Sequence, residues 1–344
     1  MTRKSIILIV ALLLSCPLAL SSGQKKKVVL TAPGTAYSRI RPAELDELRA
    51  FAPEVNLVAP EKDRVMEELA DADGVLGPVT PEMIRVAKKL KWVQVFSAGV
   101  EGYLTPELVN SDITLTNCKI IQGPEIADHA FAMLLAFTRE LYRIIPRRTQ
   151  EEWAQGEYHP LELRGKTAVV IGVGGIGTQI AVRADAFGMK VIGVDPKDIP
   201  YVPFLEYTVP PDRLDTVLPE ADVVFVSAPH THESEKVIGA RQFGLMKKGS
   251  YFIAVSRGKL YDAMALAQAL ETKHLAGAGL DVTDPEPLPK GHPLWKFENV
   301  IITPHIAGRS DREDPRYIAL FKENLRRFAA GEPLLHVVDK QKGY

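Results

Sequence analysis

A chain of 344 residues exceeds what one hydrophobic core comfortably serves, so about two domains are expected. Its composition, 46% hydrophobic and 25% charged, is that of an ordinary globular protein and excludes a disordered or low-complexity polymer. Forty-two basic residues against forty-three acidic ones leave a net charge of −1, which offers no electrostatic footprint for nucleic acid or for an anionic membrane surface.

Residues 1–24 differ from the rest. Arg3 and Lys4 precede the apolar run 6–14, and small residues follow at Ala19, Ser21, Ser22 and Gly23. That is the layout of a secretory signal peptide, so export is expected, to a periplasm or to the outside, with cleavage near residues 21–23. The run is short for a membrane span, and Pro17 interrupts its extension. Leu14-Ser15-Cys16 loosely resembles a lipoprotein cleavage site, but Leu14 stands where a smaller residue is usual, so lipid anchoring ranks second. The alternative is a start codon assigned too far upstream in a cytoplasmic protein. With Cys16 removed, Cys118 has no partner for an intramolecular disulfide and reads as a core residue at a strand end.

From Lys27 to about Gln122, apolar strands alternate with helical patterns. Strands are expected at 28–30, 55–59, 74–76, 92–96 and 113–116, and helices at 42–51, 63–70 and 81–90. This is an α/β domain with a parallel sheet. Ser97, Ala98, Gly99 and Val100 follow its fourth strand, where the backbone N–H groups of a small-residue loop can cradle an anion; the alternative is an ordinary turn. Residues 124–153 are helix-prone up to Pro146 and carry the chain onward.

The run 167–171 is a β-branched strand, and the residues after it place Gly172, Gly174 and Gly177 in G-x-G-x-x-G spacing, with Gly175 and Ile176 inside the motif. Ile176, Ile180, Ala184 and Phe187 recur at helical spacing, Gly188 is placed to stop the helix, and 190–194 reads as a second strand. In such a β-α-β unit the first glycine makes the tight turn, the second admits a pyrophosphate and the third lets helix pack on strand. The helix N-terminus offers free N–H groups and partial positive charge to the phosphates. Asp195 ends the second strand, where a carboxylate accepts hydrogen bonds from a ribose 2′-OH and repels a 2′-phosphate, so NAD is expected over NADP. An enzyme using that cofactor outside the cytoplasm would lack an obvious supply of it, which favours the start-codon alternative.

The alternation continues with strands at 222–227, 250–255, 274–281 and 299–303 and helices at 213–218, 242–246 and 263–270, so residues 123–305 can hold a complete doubly wound sheet. A last helix, 311–330, is expected to open with a capping box of Ser310 and Glu313. Three ionisable residues stand at or beyond the carboxyl ends of strands in this half: Arg257, Glu286 and His305. Side chains so placed converge on one crevice. Two histidines, His230 and His232, lie in a loop without further ligands at metal spacing, so no metal is expected.

Four stretches together resemble the ordered signatures of the D-isomer-specific 2-hydroxyacid dehydrogenases: 172–177, Val255-Ser256-Arg257-Gly258, Gly279-Leu280-Asp281-Val282 with Pro285-Glu286-Pro287, and Thr303-Pro304-His305-Ile306-Ala307-Gly308. The likeness runs from about Val28 to the end of the sequence. It implies two doubly wound parallel-sheet domains: a Rossmann NAD domain, 123–305, inserted in a discontinuous flavodoxin-like substrate domain made of 25–122 and 306–344. It also implies an active site in the cleft between them and a homodimer. By the same resemblance, Arg257, Glu286 and His305 form the catalytic set, residues 97–100 bind the substrate carboxylate, Asp281 lies near the nicotinamide carboxamide, and Pro229 and Ser256 line the cofactor pocket.

Chemically, reducing a 2-keto acid needs a hydride, a proton for the carbonyl oxygen and a clamp for the carboxylate. His305 is the natural proton donor, and Glu286 paired with it would favour the imidazolium. Arg257 offers a forked donor to the carboxylate and carbonyl oxygen. Arg309, four residues past His305, is a candidate for a second anionic group on the substrate, or else pairs at the surface with Asp311 or Glu313. Glu286 stands where a formate-type dehydrogenase of this family has Gln, which argues against that branch and leaves a phosphite-type enzyme as a rival. A non-catalytic NADH-sensing protein on the same scaffold is the alternative of another class.

Overall fold

The computed structural model describes residues 25–31, 40–151, 153 and 155–344, so the expected leader, residues 1–24, lies outside the described residues. In chain order the first part comprises β1 (Lys26–Leu30), α1 (Pro42–Phe51), β2 (Val55–Val58), α2 (Val65–Leu69), β3 (Gly74–Leu76), α3 (Pro81–Val86), β4 (Trp92–Gln94), α4 (Pro106–Val109) and β5 (Thr114–Thr116). The five strands form one parallel sheet in the order β2-β1-β3-β4-β5, the flavodoxin-like doubly wound order. Val28, Val29, Val75 and Val93 are fully buried, as a parallel sheet covered on both faces requires.

Two helices lead away from this sheet, α5 (Gly123–Thr138) and α6 (Leu141–Arg147). The helix-prone run does not continue unbroken to Pro146. Glu140 adopts a left-handed backbone with φ +56°, and its carboxylate accepts from the His159 N–H at 2.6 Å, which stops α5 and re-aims the chain. The second sheet then follows: β6 (Thr167–Ile171), α7 (Gly175–Ala186), β7 (Lys190–Val194), β8 (Tyr207–Val209), α8 (Leu214–Val217), β9 (Val223–Val226), α9 (Ala240–Leu245), β10 (Ser250–Ala254), α10 (Ala263–Glu271), β11 (Leu275–Leu280) and β12 (Val300–Ile302). Its seven strands are parallel, in the order β12-β11-β10-β9-β6-β7-β8. Strand order reverses between β6 and β9, the place where open α/β sheets bind ligands. β8 is absent from the sequence expectation. It is a three-residue edge strand that pairs with β7 alone, and only its Ile192↔Tyr207 register and its neighbours hold it.

The chain ends on the first sheet. α11 (Glu313–Ala330) sets Tyr317, Phe321, Leu325 and Phe328 along one face, with the Phe328 ring tilted against Trp92 at 4.9 Å between centroids and Phe321 against Phe96 at 5.2 Å. Buried Asn324 donates to Gln94 Oε1 at 2.8 Å and accepts from the Leu335 N–H at 2.8 Å, so helix, sheet and following segment share one polar link. The expected capping box does not form. The helix begins two residues later than expected, Ser310 Oγ accepts from the Arg312 N–H, and the Glu313 carboxylate instead accepts from Gln122 Nε2 at 2.7 Å. Glu313 is buried against the crossing between the sheets, and that contact outcompetes the local one.

Candidate active site

The turn after β6 shows why each glycine is needed. Gly172 has φ +88°, and a Cβ there would lie 2.5 Å from the Ala228 backbone; one on Gly177 would lie 1.9 Å from the Gly172 carbonyl oxygen. At Gly174 a Cβ would meet nothing within 4 Å, so this face is open to a ligand. Gly175 instead abuts Ile120 of the crossing segment, 2.6 Å from a would-be Cβ to its Cα. Ser227, just past β9, donates to the Gly172 carbonyl at 2.8 Å and pins the turn across the point where strand order reverses.

The first turn of α7 leaves its N–H groups without intrahelical partners, aimed at this opening. A cavity of about 350 Å³ continues from it, lined by residues 172–174, Asp195, Pro229 and Tyr344. Asp195 accepts from the Val173 N–H at 2.8 Å and the Lys197 N–H at 2.9 Å, which holds its carboxylate at the ribose end of the crevice. Open backbone at the glycine turn, a free helix N-terminus and a carboxylate at the far end fit a dinucleotide.

A second cavity of about 590 Å³ lies in the cleft between the sheets. From the first sheet it is lined by Ser97, Ala98 and Gly99. From the second come Ile176, Ser256, Arg257 and His305. His305 Nδ1 lies 2.8 Å from Glu286 Oε1. A carboxylate only accepts here, so Nδ1 carries the hydrogen and Nε2 is the ring nitrogen left for a ligand. Arg257 Nη1 donates to the Ser256 carbonyl at 2.7 Å, and the other side of the guanidinium faces Glu101. The structure thus brings Arg257 and His305 to one cavity, with Glu286 bonded to the imidazole.

Val100 is not part of the lining. Its side chain is 1% exposed and packs in the core of the first sheet with Val95 and Leu108, so of the loop 97–100 only Ser97, Ala98 and Gly99 line the cavity, and Val100 could take part through its backbone alone. Arg309 does line the cleft and is exposed; the surface pairing expected as its alternative is not formed, since Asp311 faces Arg312 and Glu313 is taken by Gln122. His230 lies 3.6 Å from Glu235, and among the described residues no three His, Cys, Asp or Glu side chains cluster as a metal would need. Sequence reasoning passed over Ser227, Gln122, Tyr344 and Glu101. Of these only Glu101 carried a signal, an acid directly after the anion-cradle loop and two residues beyond Gly99.

Asp281, which lines the same cavity, also orders the turn after β12. It is 2% exposed, and Oδ1 accepts from Thr303 Oγ1 at 2.6 Å and the Ile306 N–H at 3.0 Å, while Oδ2 accepts from the Ala307 N–H at 3.0 Å. The Asp281 carbonyl also takes the His305 N–H at 2.9 Å. His305 itself has φ +52°, a conformation that costs a non-glycine residue on the order of 1 kcal/mol and persists only where its surroundings dictate it. The carboxylate of Asp281 is that dictate. Replacing Asp281 with Asn turns one acceptor into a donor facing a buried N–H, so Asp281→Asn should lower stability by about 1–3 kcal/mol in denaturant unfolding, and an unchanged midpoint would refute the role.

Residues 131–307 match the family model described as the D-isomer specific 2-hydroxyacid dehydrogenase, NAD binding domain. A glyoxylate reductase of Korarchaeum cryptofilum is 32% identical over 310 residues, spanning 87% of this chain and 90% of that protein. A D-3-phosphoglycerate dehydrogenase of Methanocaldococcus jannaschii is 30% identical over 81% of this chain and 54% of its own length. The crystal structure of a D-isomer specific 2-hydroxyacid dehydrogenase from Xanthobacter autotrophicus, in complex with NADPH and MES, superposes with a TM-score of 0.80 at 25% identity, covering 93% of this chain and all of that one. Four motifs in order, two doubly wound sheets, the family model and a relative 32% identical over nine-tenths of its length agree: the chain belongs to the D-isomer specific 2-hydroxyacid dehydrogenase family.

Proposed function

We propose that this chain reduces a small 2-keto acid to the D-2-hydroxy acid, and runs the reverse oxidation, with Arg257, Glu286 and His305 acting as one unit. The observation that carries the reading is the His305–Glu286 bond of 2.8 Å in a cavity whose opposite wall is the loop of Ser97, Ala98 and Gly99. When bound, a reduced nicotinamide supplies the hydride for the substrate's C2. The glycine turn and the first turn of α7 hold its phosphates, and Asp195 its ribose. Arg257 clamps the substrate carboxylate with paired N–H donors and stabilises negative charge growing on the C2 oxygen. His305 donates a proton from Nε2 to that oxygen, with Glu286 fixing the ring through Nδ1 and offsetting the imidazolium charge. In oxidation the neutral imidazole takes the proton back. Buried Ser256, whose hydroxyl donates to the Val226 carbonyl at 3.3 Å, keeps the Arg257 backbone seated at the end of β10.

An NADH-sensing protein without chemistry would need the dinucleotide crevice but not an acid–base pair facing a second cavity, and Glu286 argues against the formate-type branch. His305→Ala should slow turnover of glyoxylate by about 10²–10⁴-fold in a spectrophotometric NADH assay at neutral pH, and near wild-type kcat would overturn the role.

The family binds NAD or NADP, and here the reading is NAD. Asp195 presents a carboxylate where a 2′-phosphate would sit, and the Lys197 ammonium lies over the Tyr344 ring, 4.8 Å from its centroid, which gives it an aromatic partner of its own. NADH should exceed NADPH in kcat/KM by at least about tenfold, equivalent to ~1.4 kcal/mol, and a preference for NADPH would sink the assignment.

The proposal extends to export and to a homodimer. Arg3-Lys4 before the apolar run 6–14 supports the first, and the exposed apolar group of Leu141, Ile144, Ile145 and Trp153 supports the second. N-terminal sequencing from the native host should find the leader removed, with an intact Met1 counting against it. Sedimentation equilibrium should return twice the chain mass.

A further inference from the structure

Arg257 does not face an empty cleft. Its Nε lies 3.1 Å from Glu101 Oε1 and its Nη2 lies 3.5 Å from Glu101 Oε2, so the guanidinium presents two donors to the two oxygens of one carboxylate. Glu101 opens a short 3-10 turn, Glu101–Tyr103, directly after the loop 97–100, whereas Arg257 follows β10 of the other sheet, so the pair bridges the cleft. Both groups lie over Gly99. A Cβ on that residue would come within 1.7 Å of Arg257 Nη2 and 2.6 Å of Glu101 Oε2, so the ends of both side chains rest directly on the glycine. A carboxylate held in the fork of Arg257 above Gly99 is the arrangement the substrate carboxylate needs.

We propose that Glu101 is the chain's own stand-in for the substrate carboxylate and that it makes the site selective for monoanionic over dianionic acids. This rests on the reading of Arg257 as the carboxylate clamp. Each partner's side chain is one-third exposed, so the pair opens to exchange with an incoming acid. A monoanion trades one carboxylate for another at Arg257. A dianion of the same size brings a second negative charge beside the displaced Glu101, which the backbone keeps two residues from Gly99, and like charges that close repel. Asp281, His305 and Arg309 also line the cavity, but they are the same in a Glu101 variant and their contributions cancel in the comparison.

Oxamate and oxalate are two-carbon ligands of similar shape that carry one and two negative charges at neutral pH. Their binding to the NADH-saturated full chain, measured by titration calorimetry, reads the site without turnover. In Glu101→Gln, oxamate should bind about 3-fold tighter and oxalate about 30-fold tighter, raising the oxalate-to-oxamate affinity ratio roughly tenfold. Glu101→Ala should move both ligands in the same order. Unchanged or weaker binding of both ligands in the variants, while the wild type binds them, overturns the role of Glu101 alone and makes it a holder of Arg257. Equal gains for the two ligands overturn the charge selectivity. Absence of binding to every chain refutes the clamp reading as well.

Discussion

The buried carboxylate of Asp281 is the constraint on which the site depends. It follows β11, beside the edge strand β12 of the second sheet, and among the described residues the hydrogen bonds it accepts come from the segment 303–307. Thr303 Oγ1, which gives its one hydrogen to that carboxylate, accepts in turn from His129 Nε2 of α5 at 2.9 Å, so the knot reaches back to the helix beneath the sheet. An ionised group this deep is costly unless its lone pairs are filled, and here backbone N–H groups and a hydroxyl fill them. The return is geometric: the chain turns sharply after β12, and His305 is held in a left-handed conformation that aims its ring at Glu286 and the cavity.

The same turn sends the chain back to the first sheet, alongside its outward crossing. Gln122, at the start of α5, donates to the Gly308 carbonyl at 3.0 Å and to Glu313, while Arg316 reaches the Ile121 carbonyl and Glu125, each at 2.6 Å. The two crossings are thereby tied side by side. Ile120 and Gly175 touch at the same level, so the glycine turn of one domain rests on the crossing segment rather than on a free surface.

What could be read in the sequence follows from which forces act locally. The strands 167–171 and 190–194 match in both ends, because a parallel strand buried on both faces is a continuous β-branched run bounded by glycine. The glycine turn, Arg257, Glu286 and His305 were legible because each sits at a strand end, a position that sequence order alone reveals. Features decided by distant partners were not. β8 owes its existence to β7, and the stop at Glu140 to His159. Glu313 trades a local cap for Gln122, 191 residues away, and Glu101 meets an arginine 156 residues along the chain. For Val100 the loop motif says where backbone N–H groups lie, not which side chain turns inward, and the side chain turns into the core.

A division of labour between the domains follows from these contacts. His305, Glu286 and the turn that orients them all belong to the second sheet, so the proton-transfer pair is complete without reference to the first. In the proposed reading carboxylate recognition is divided, with the fork of Arg257 on one side and Gly99 with Glu101 on the other. The separation of the domains therefore bears on substrate binding far more than on the acid–base pair. The ion pair across the cleft draws the guanidinium of Arg257 toward the loop of the other sheet. If Arg257 is the carboxylate clamp proposed above, binding of a monoanion would exchange one ion pair for another and leave the number of charges facing Arg257 unchanged, which would limit the electrostatic reorganisation that entry of the acid requires.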